Sequence, residues 1–399
     1  MAEFPIRLYE EGKVKFYAPD TKLYFERGSY IPGRTPVFYN PKMMLNRDIA
    51  VYSLQAYADE KKRGLMVCTP MAGCGVRAIR FVMETVGVKS IVINDINPRA
   101  VELIRKNLEL NEVKGNITVS CEDANALLSK YASKRERFDL IDLDPFGSPA
   151  PFTDSAIRAL NPKGALLCIT ATDLAPLCGT HPRACLRKYG SKPLRVEYCH
   201  EVAVRILTFH SLSIAAKYDL ALEPVLSHYA EHYVRIYFKC RLGARAADEK
   251  MRMIGYLLHC FSCSFRKLVQ GYPTVFTHEE CPNCGRRLEV AGPLWCGPIQ
   301  NKEFVRRVAK IAEKEGNREA SKVLRQILEE ADAPPTYYNM HKLSSIAGVS
   351  CPPIENVIRR LMEKGFAVYR THFSRFSIKT NASSGIILDT LRELALEKD

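Results

Sequence analysis

The sequence has 399 residues, 47% hydrophobic and 26% charged, the proportions of an ordinary globular protein with room for two or three domains. A formal net charge of +14 favours a polyanionic partner such as a nucleic acid, although a basic protein without such a partner is the alternative. The first residues, MAEFPIRLYEEGKVKF, include acids and no apolar stretch, and no run approaches the roughly 18 apolar residues of a membrane helix, so neither a secretory signal nor a membrane span is expected.

The chain begins with a region of mixed short elements and continues with a regular alternation. Residues 1–40 predict short strands and turns, either a lid over a substrate or, as the favoured interpretation, a hairpin packed at an edge of the core. A helix is predicted over KMMLNRDIAVYSLQAYADEKKRG, ending at Gly64. Residues 65–144 then alternate four strands with helices, an order that predicts a parallel, doubly wound α/β sheet.

Glycines or acids follow the first three of these strands. Gly73 and Gly75 form the first turn, where glycine lets the backbone approach a ligand, but the third glycine of the dinucleotide fingerprint is missing, which argues against NAD. Asp95 ends the second strand, where an acid accepts hydrogen bonds from ribose hydroxyls or caps the next helix. Asp123 follows the third strand and can accept a hydrogen bond from the amino group of adenine. Together these residues predict a site for S-adenosylmethionine.

The fourth strand ends in FDLIDLDPFGSP, a carboxylate followed by a proline and an aromatic ring. A planar ring with an amino group would stack on Phe146 and donate hydrogen bonds to Asp144 and to the carbonyl of Pro145. The loop resembles the Asp/Asn-Pro-Pro-aromatic loop of methyltransferases that modify exocyclic amines of bases. An ordinary proline turn is the alternative.

Seven motifs carry a wider resemblance: FYNPKMMLNRD, GCGVRAIRF, IVINDINPRA, CEDAN, DLDPFGSP, TATDLAPLCGTHPRACLRKYG and AGPLWCGP. They are similar to those of the tRNA (guanine-26-N2) dimethyltransferase family, from about residue 36 to residue 300 and more loosely beyond. The resemblance implies a class I, Rossmann-like methyltransferase domain. It also implies methyl transfer from S-adenosylmethionine to the exocyclic N2 of guanine 26 in tRNA, giving N2-methyl- and then N2,N2-dimethylguanosine.

The resemblance also implies roles for individual residues. Those of the cofactor site are Arg47 and Arg77 at the methionine carboxylate, Asp95 at the ribose, and Asp123 with Ala124 at the adenine, beside the turn of Gly73 and Gly75. Those of the target site are Asp144 and Pro145 at the amine, with Phe38 and Phe146 on the two faces of the guanine. One departure is Thr69, which stands where the family usually has an acid, so a strong contact from this position to the methionine amino group is in doubt.

Cysteine spacing predicts a metal site. Fourteen cysteines in a chain without a signal indicate a reducing compartment, so we expect the cytoplasm, with the nucleus open for a eukaryotic source. Cys260-x-x-Cys263 and Cys281-x-x-Cys284, with 17 residues between them, predict a four-cysteine zinc ribbon of structural role, because four thiolates leave no open coordination position. RNA binding is the functional alternative for the ribbon, since four cations lie in or beside it: Arg266, Lys267, Arg286 and Arg287.

The C-terminal region predicts further helices and a small α+β module. Residues 302–330 are helical with a break near Gly316, ADAPP is a linker, and the remaining helix–helix–hairpin order suits a winged-helix module for RNA or protein contacts. The expected domains are residues 1–245 (methyltransferase with its N-terminal arm), 246–300 (zinc ribbon) and 301–399 (C-terminal RNA-binding region). A monomer is expected.

Two alternatives remain at this point. One is an exocyclic-amine methyltransferase acting on rRNA or DNA. The other is a non-catalytic nucleic-acid-binding protein in which the zinc ribbon and winged helix act on an inactive methyltransferase fold, against which the set of Asp95, Asp123 and Asp144 argues. His181 and His200 are interpreted as structural, hydrogen-bonded histidines and not as general bases.

Overall fold

The computed structural model describes residues 4–26, 29–271 and 280–397, which fall into two compact units. Unit 1 consists of residues 1–172, 237–243 and 306–322, and unit 2 consists of residues 173–236, 244–305 and 323–399. The three domain boundaries expected from the sequence stay a prediction.

The described residues up to 172 supply five parallel strands of the central sheet, with helices and two separate two-stranded sheets, formed by the first and second and by the third and fourth strands of the chain. The strands are β1 (Ile6–Glu11), β2 (Val14–Pro19), β3 (Phe25–Glu26), β4 (Ser29–Tyr30), β5 (Leu65–Thr69), β6 (Val88–Asn94), β7 (Asn116–Ser120), β8 (Leu140–Leu143) and β9 (Ala165–Ala171). The α-helices are α1 (Met44–Lys61), α2 (Val76–Glu84), α3 (Pro98–Leu110), α4 (Ala124–Ser133) and α5 (Ala150–Ala159). Short 3-10 helices span Thr21–Leu23, Pro32–Arg34 and Pro41–Met43.

Residues 173–397 supply the remaining elements. The helices are α6 (Leu174–Leu177), α7 (Pro182–Tyr189), α8 (Cys199–Ala216), α9 (Ala244–Met251), α10 (Lys302–Lys314), α11 (Arg318–Glu329), α12 (Met340–Ala347), α13 (Ile354–Glu363) and α14 (Ser384–Leu396). The strands are β10 (Leu220–Ala230), β11 (Tyr233–Leu242), β12 (Ile254–His259), β13 (Arg266–Gln270), β14 (Glu289–Trp295), β15 (Tyr338–Asn339), β16 (Val368–Arg370) and β17 (Ser377–Thr380). None of the described helices is both long enough and apolar enough to cross a membrane.

The central sheet has the strand order β10-β11-β9-β8-β5-β6-β7. β5 pairs in parallel with β6 on one side and β8 on the other, and β8 pairs in parallel with β9. Every residue of β8 and β9 is buried, as expected for parallel strands covered on both faces. Because the chain leaves β5 in one direction and returns to β8 on the other side, the switch point lies between β5 and β8, where open α/β sheets bind ligands. The doubly wound α/β prediction is confirmed.

The N-terminal hairpin packs on this unit but is not an edge of the central sheet. β1 and β2 pair only with each other, from Ile6 opposite Pro19 to Glu11 opposite Val14. Phe16 of β2 joins a buried cluster with Tyr39, Val76 and Leu103. The hairpin is therefore held by side-chain packing against α2 and α3 and not by strand pairing.

Unit 2 contains two small sheets. One has the order β13-β12-β14, and the other has the order β15-β17-β16 with α12, α13 and α14 packed against it. The expected helix–helix–hairpin order is present, and the expected break at Gly316, with φ +70°, separates α10 from α11. The final helix, α14, has no counterpart in the sequence prediction, and the winged-helix assignment stays a prediction.

Candidate active site

The turn after β5 requires both of its glycines. Gly73 has φ +56°, and a Cβ there would lie 2.7 Å from the carbonyl oxygen of Phe38. Gly75 has φ +81°, and its Cβ would lie 2.9 Å from Ile104 of α3. A side chain at either position would push the turn away from its neighbours, so the glycines fix the floor of the crevice at the switch point.

Asp95 ties this turn to the end of β6. Its carboxylate accepts hydrogen bonds from the backbone N–H of Gly73 at 2.8 Å and from that of Asn97 at 2.9 Å. Burial raises the pKa of Asp95, and the two backbone donors partly offset that effect. The cap of α3 is provided by Asn97, whose side chain accepts from the N–H of Arg99, so the capping role considered for Asp95 falls to its neighbour.

Asp123 and Ala124 lie at the end of the adjacent strand, β7. Asp123 is exposed and caps α4 by accepting a hydrogen bond from the N–H of Ala126 at 3.0 Å, while Ala124 is buried. Asp95 and Asp123 therefore stand at the carboxyl ends of neighbouring strands, the arrangement expected from the sequence for a nucleoside.

A small cavity of about 50 Å³ lies at the carboxyl ends of β5 and β8. Its volume is that of one or two water molecules, so it can take only the innermost part of a ligand. The lining residues are Phe38, Tyr39, Asn40, Arg47, Thr69, Met71, Ala72, Gly73, Cys74, Val76, Arg77, Ala78, Asp142 and Asp144. The cavity thus brings together residues expected at the cofactor and residues expected at the target base.

Arg77 connects these two groups of residues. Its Nη2 donates a hydrogen bond to Asp144, and its Nε lies 3.5 Å from a carboxylate oxygen of Asp142. Its Nη1 is buried and has no hydrogen-bond partner among the described residues, and the same is true of the hydroxyl of Thr69. Both unpartnered polar atoms belong to residues that line the cavity, so the cavity fits a ligand that brings its own polar groups.

Asp142 has a place in the site that the sequence prediction missed. It is 2% exposed, lies two residues before Asp144 on β8, and lines the same cavity. Side chains two apart on a strand point to the same face, so the alternation Asp142-Leu143-Asp144 contained the signal. Asp142 is therefore a second acid beside Arg77. It lines the same cavity as Thr69, which occupies the position where the family usually has an acid.

Arg47 is held in a buried ion pair with the tip of the N-terminal hairpin. Its Nε and Nη2 donate to the two carboxylate oxygens of Glu11 at 2.7 and 2.5 Å, and Nη2 also donates to the carbonyl of Asn40. Glu11 accepts a further hydrogen bond from the hydroxyl of Tyr39. Burial alone would lower the pKa of Arg47, but the adjacent Glu11 outweighs burial and raises it. Glu11 had no visible role in the sequence.

Phe38 and Phe146 contact each other directly. Their ring centroids are 5.5 Å apart with an angle of 55° between the planes, and Phe146 is 72% exposed. A Cβ on Gly33 would lie 3.0 Å from the Phe146 ring, so Gly33 packs against one part of this ring. Two rings that sandwich a base must be about 7 Å apart, twice the carbon–carbon contact distance. This arrangement has no gap for a base between the rings.

The four predicted zinc ligands converge. The Sγ atoms of Cys260 and Cys284 are 3.5 Å apart, those of Cys263 and Cys281 are 3.4 Å apart, and all four lie within 4.8 Å of one another. Sulfurs bonded to one tetrahedral zinc ion are about 3.8 Å apart, given Zn–S bonds of about 2.3 Å. The donor set therefore fits a tetrahedral, thiolate-bound ion between two knuckles.

The four basic residues in or beside the four-cysteine cluster differ in their exposure to solvent. Lys267, Arg286 and Arg287 are exposed. The guanidinium of Arg266 instead donates to the carbonyl of Tyr337 at 2.7 Å and to Glu197 at 3.1 Å. The Arg266 side chain is only 5% exposed, so it is held within the protein, and RNA contact by the other three cations stays a prediction.

The chain is similar to known proteins over most of its length. A family model described as N2,N2-dimethylguanosine tRNA methyltransferase matches residues 12–392. The tRNA (guanine(26)-N(2))-dimethyltransferase of Methanothermobacter thermautotrophicus is 43% identical over 97% of this chain and 99% of that protein. The tRNA (guanine(26)-N(2)/guanine(27)-N(2))-dimethyltransferase of Aquifex aeolicus is 34% identical over 98% of this chain and 96% of that protein. The solved structure of Trm1 from Pyrococcus horikoshii with S-adenosyl-L-methionine is 36% identical, with a TM-score of 0.83, and the match covers 96% of this chain and 99% of that one.

Proposed function

Because the chain belongs to the N2,N2-dimethylguanosine tRNA methyltransferase family, we propose that Asp144, Pro145 and Phe146 receive the target guanine at the end of β8. The chain is an S-adenosylmethionine-dependent enzyme that transfers methyl groups to the exocyclic N2 of a guanine in tRNA. From the names of its relatives we infer guanine 26 as the target and two successive transfers to the same nitrogen. The non-catalytic alternative is thereby set aside.

The guanine amine needs help to attack a methyl group because its lone pair is delocalised into the ring. Hydrogen bonds from its two N–H groups to Asp144 and to the Pro145 carbonyl would favour the pyramidal, attacking geometry. Bound S-adenosylmethionine supplies an electrophilic methyl group on a sulfonium centre. As the new N–C bond forms, the amine loses one proton, and Asp144 is placed to accept it.

The ion pair with Arg77 supports this role for Asp144. The guanidinium donates a hydrogen bond to the Asp144 carboxylate and fixes its orientation in the cavity that both residues line. Correct placement of the reacting groups can supply roughly 7–11 kcal/mol of barrier reduction. Arg77 is therefore a positioning residue for the target site as well as a candidate ligand of the cofactor.

The cofactor site is assigned from the residues that the crevice brings together. The unpartnered Nη1 of Arg77 is suited to the methionine carboxylate, and Arg47 lines the same cavity. Asp95 and Asp123, with Ala124, would hold the ribose and the adenine at the ends of β6 and β7. Gly73 would form part of the floor of this site, where its lack of a side chain allows the close approach to the Phe38 carbonyl.

Entry of the base requires a change at the two aromatic rings. Since Phe38 and Phe146 contact each other, we propose that the exposed Phe146 swings away as the guanine leaves its stack, and that the base then lies between the rings. Stacking on an aromatic ring is worth about 1–3 kcal/mol per base and offsets part of the cost of unstacking.

The four cysteines would hold a structural zinc ion, and the converging sulfur atoms support this assignment. The proposal also includes a monomeric enzyme in the cytoplasm, with the exposed Lys267, Arg286 and Arg287 available to tRNA phosphates.

The observation that carries the proposal is the shared cavity, which Asp144 lines together with Arg77 and Gly73, two residues proposed for the cofactor. The test is incubation of the enzyme with labelled S-adenosylmethionine and a tRNA transcript carrying guanosine or inosine at position 26, followed by nucleoside mass spectrometry. Dimethylguanosine from the first transcript and no product from the second, which lacks the exocyclic amine, is the expected result. Equal labelling of both transcripts, or of rRNA or DNA in place of tRNA, would contradict it.

A further inference from the structure

A second group of metal-ligating side chains lies in unit 2. One ligand atom from each of Cys178, Cys199 and His200 lies within 4.8 Å of the other two. All three residues are half-buried, so an ion could reach them from solvent and would then be partly shielded from it. These residues belong neither to the proposed catalytic site nor to the four-cysteine cluster.

Local backbone geometry brings the three residues together. Cys178 directly follows α6, and Cys199 and His200 are the first two residues of α8. Next to Cys178, Gly179 has φ +89°, and a Cβ there would lie 2.6 Å from the backbone nitrogen of Arg195. This glycine lets the end of α6 approach the segment that leads into α8, and the two thiols come close enough to share a hydrogen bond.

The imidazole of His200 is oriented by stacking. Its ring lies on that of Tyr229, with centroids 3.7 Å apart and 11° between the planes. The structure gives its ring nitrogens no hydrogen bond to any described residue, so the expectation of a hydrogen-bonded structural histidine is not met. Stacking holds the ring plane and leaves a nitrogen available as a ligand.

A buried hydroxyl beside the cluster is an independent indication of a missing partner. Tyr337 is fully buried, and its hydroxyl has no hydrogen-bond partner among the described residues. Its ring packs against that of Tyr198, the residue before Cys199, with centroids 6.3 Å apart. A buried hydroxyl left unpaired costs about 1–3 kcal/mol, so an additional polar group in this space would be stabilising.

We propose that Cys178, Cys199 and His200 form a second metal site, for a thiophilic divalent cation such as Zn²⁺. Two thiolates and one imidazole are a donor set that zinc prefers, and they leave one of four tetrahedral positions for a water molecule. We expect this water to be the hydrogen-bond partner of the Tyr337 hydroxyl. Binding replaces the two thiol protons, which are released to solvent. The ion would fasten the end of α6 to the start of α8, independently of the proposed catalytic roles.

The first test is the zinc content of the full-length protein, measured by mass spectrometry of the metal after purification with zinc. Wild type is expected to hold one equivalent more than Cys199→Ser, and His200→Gln is expected to show the same loss. Cys351→Ser, which removes a half-buried thiol of the same unit outside both clusters, should keep the wild-type content. Unchanged zinc in Cys199→Ser and His200→Gln would overturn the proposal.

The second test isolates the new site. In a Cys281→Ser background, in which the four-cysteine cluster is broken, Co²⁺ should still give thiolate-to-metal charge-transfer absorption. Adding Cys178→Ser should abolish that absorption, and adding Tyr337→Phe should weaken Co²⁺ binding by about tenfold or more while circular dichroism stays unchanged. Absence of the absorption in the Cys281→Ser protein, or an intact mass showing that Cys178 and Cys199 are joined as a disulfide, would overturn the proposal.

Discussion

The Arg77 guanidinium donates a hydrogen bond to Asp144 and lies 3.5 Å from Asp142, so a single cation contacts two carboxylates at the carboxyl end of β8. This ion pair links the glycine turn after β5, which precedes Arg77, to the loop proposed to receive the guanine. One helix, α2, thus carries the residue that links the proposed cofactor site to the proposed target site.

Replacing Arg77 with lysine should keep the positive charge but remove the planar guanidinium, whose several N–H donors can contact two carboxylates at once. Arg77→Lys is expected to lower kcat by roughly 100-fold, because displacement of Asp144 by about an ångström misaligns the amine. Steady-state kinetics on a tRNA transcript, with thermal unfolding to verify the fold, measure the effect. Arg105→Lys, an exposed arginine on α3, is the matched control and should be unaffected. Wild-type kcat in Arg77→Lys would show that Arg77 does not position Asp144.

The N-terminal hairpin should matter for the cofactor through Glu11. Glu11→Gln leaves the buried Arg47 without its charged partner, a loss that typically costs about 3–5 kcal/mol when a buried ion pair is broken. We expect a lower unfolding temperature and a higher KM for S-adenosylmethionine, since Arg47 lines the cavity.

Glu10→Gln, at the exposed neighbouring position, provides the control and should match wild type in both measurements. A variant Glu11→Gln that loses stability but keeps its KM would restrict the ion pair to a structural role.

Breaking the four-cysteine cluster should destabilise the β12–β14 sheet. Cys260 and Cys281 belong to the small apolar cluster of Leu258 and Leu288, so a serine at 281 removes both a thiolate ligand and a packing contact. We expect Cys281→Ser to lose one zinc equivalent and to unfold in part at a lower temperature, because binding energy at such sites is folding energy. Metal analysis combined with calorimetry checks both. Full metal retention would exclude Cys281 as a ligand.

The buried charges around Glu201 predict acid sensitivity. Burial alone would raise the pKa of Glu201, but Lys379 and Arg205 outweigh it and lower the pKa to about 2, from an unfolded value of 4.5. Because the folded pKa is depressed, its stabilising contribution is present above pH 4.5 and is lost as the pH falls toward 2. The size of this loss is on the order of 3 kcal/mol.

The measurement is the free energy of unfolding by urea between about pH 5 and pH 2, compared between wild type and Glu201→Gln. The variant should be less stable at neutral pH and should lose less stability on acidification. Glu249→Gln, at an exposed position whose nearest cation is 4.0 Å away, should keep the wild-type slope. Identical slopes in all three proteins would refute the assigned ion-pair cluster.

Local pattern was enough to predict the central sheet and the strand-end acids. β5 to β8, the turn of Gly73 and Gly75, and the positions of Asp95, Asp123 and Asp144 follow from alternation, turn residues and strand ends, which are short-range properties. The two cysteine knuckles are equally local, since each pair is three residues apart. Roles at the cofactor came from the family resemblance and not from these patterns.

Partners that are distant in the chain could not be predicted. Glu11 pairs with Arg47 across 36 positions, and Arg266 is enclosed by Tyr337 and Glu197, which are 71 and 69 positions away in the chain. The direct contact of Phe38 with Phe146 depends on how two loops meet, and Cys178 reaches Cys199 only because Gly179 permits a close approach. Each of these depends on tertiary packing, which periodicity does not encode.

The most direct test of the central claim is methyl transfer by Asp144→Ala, measured with binding of S-adenosylmethionine and of tRNA to the same protein. We predict that methylated guanosine falls below detection while tRNA binding persists. Asp154→Ala, which removes a half-buried acid on the following helix, should retain full activity. Turnover by Asp144→Ala at a rate close to wild type would contradict the assignment of the target amine to this carboxylate.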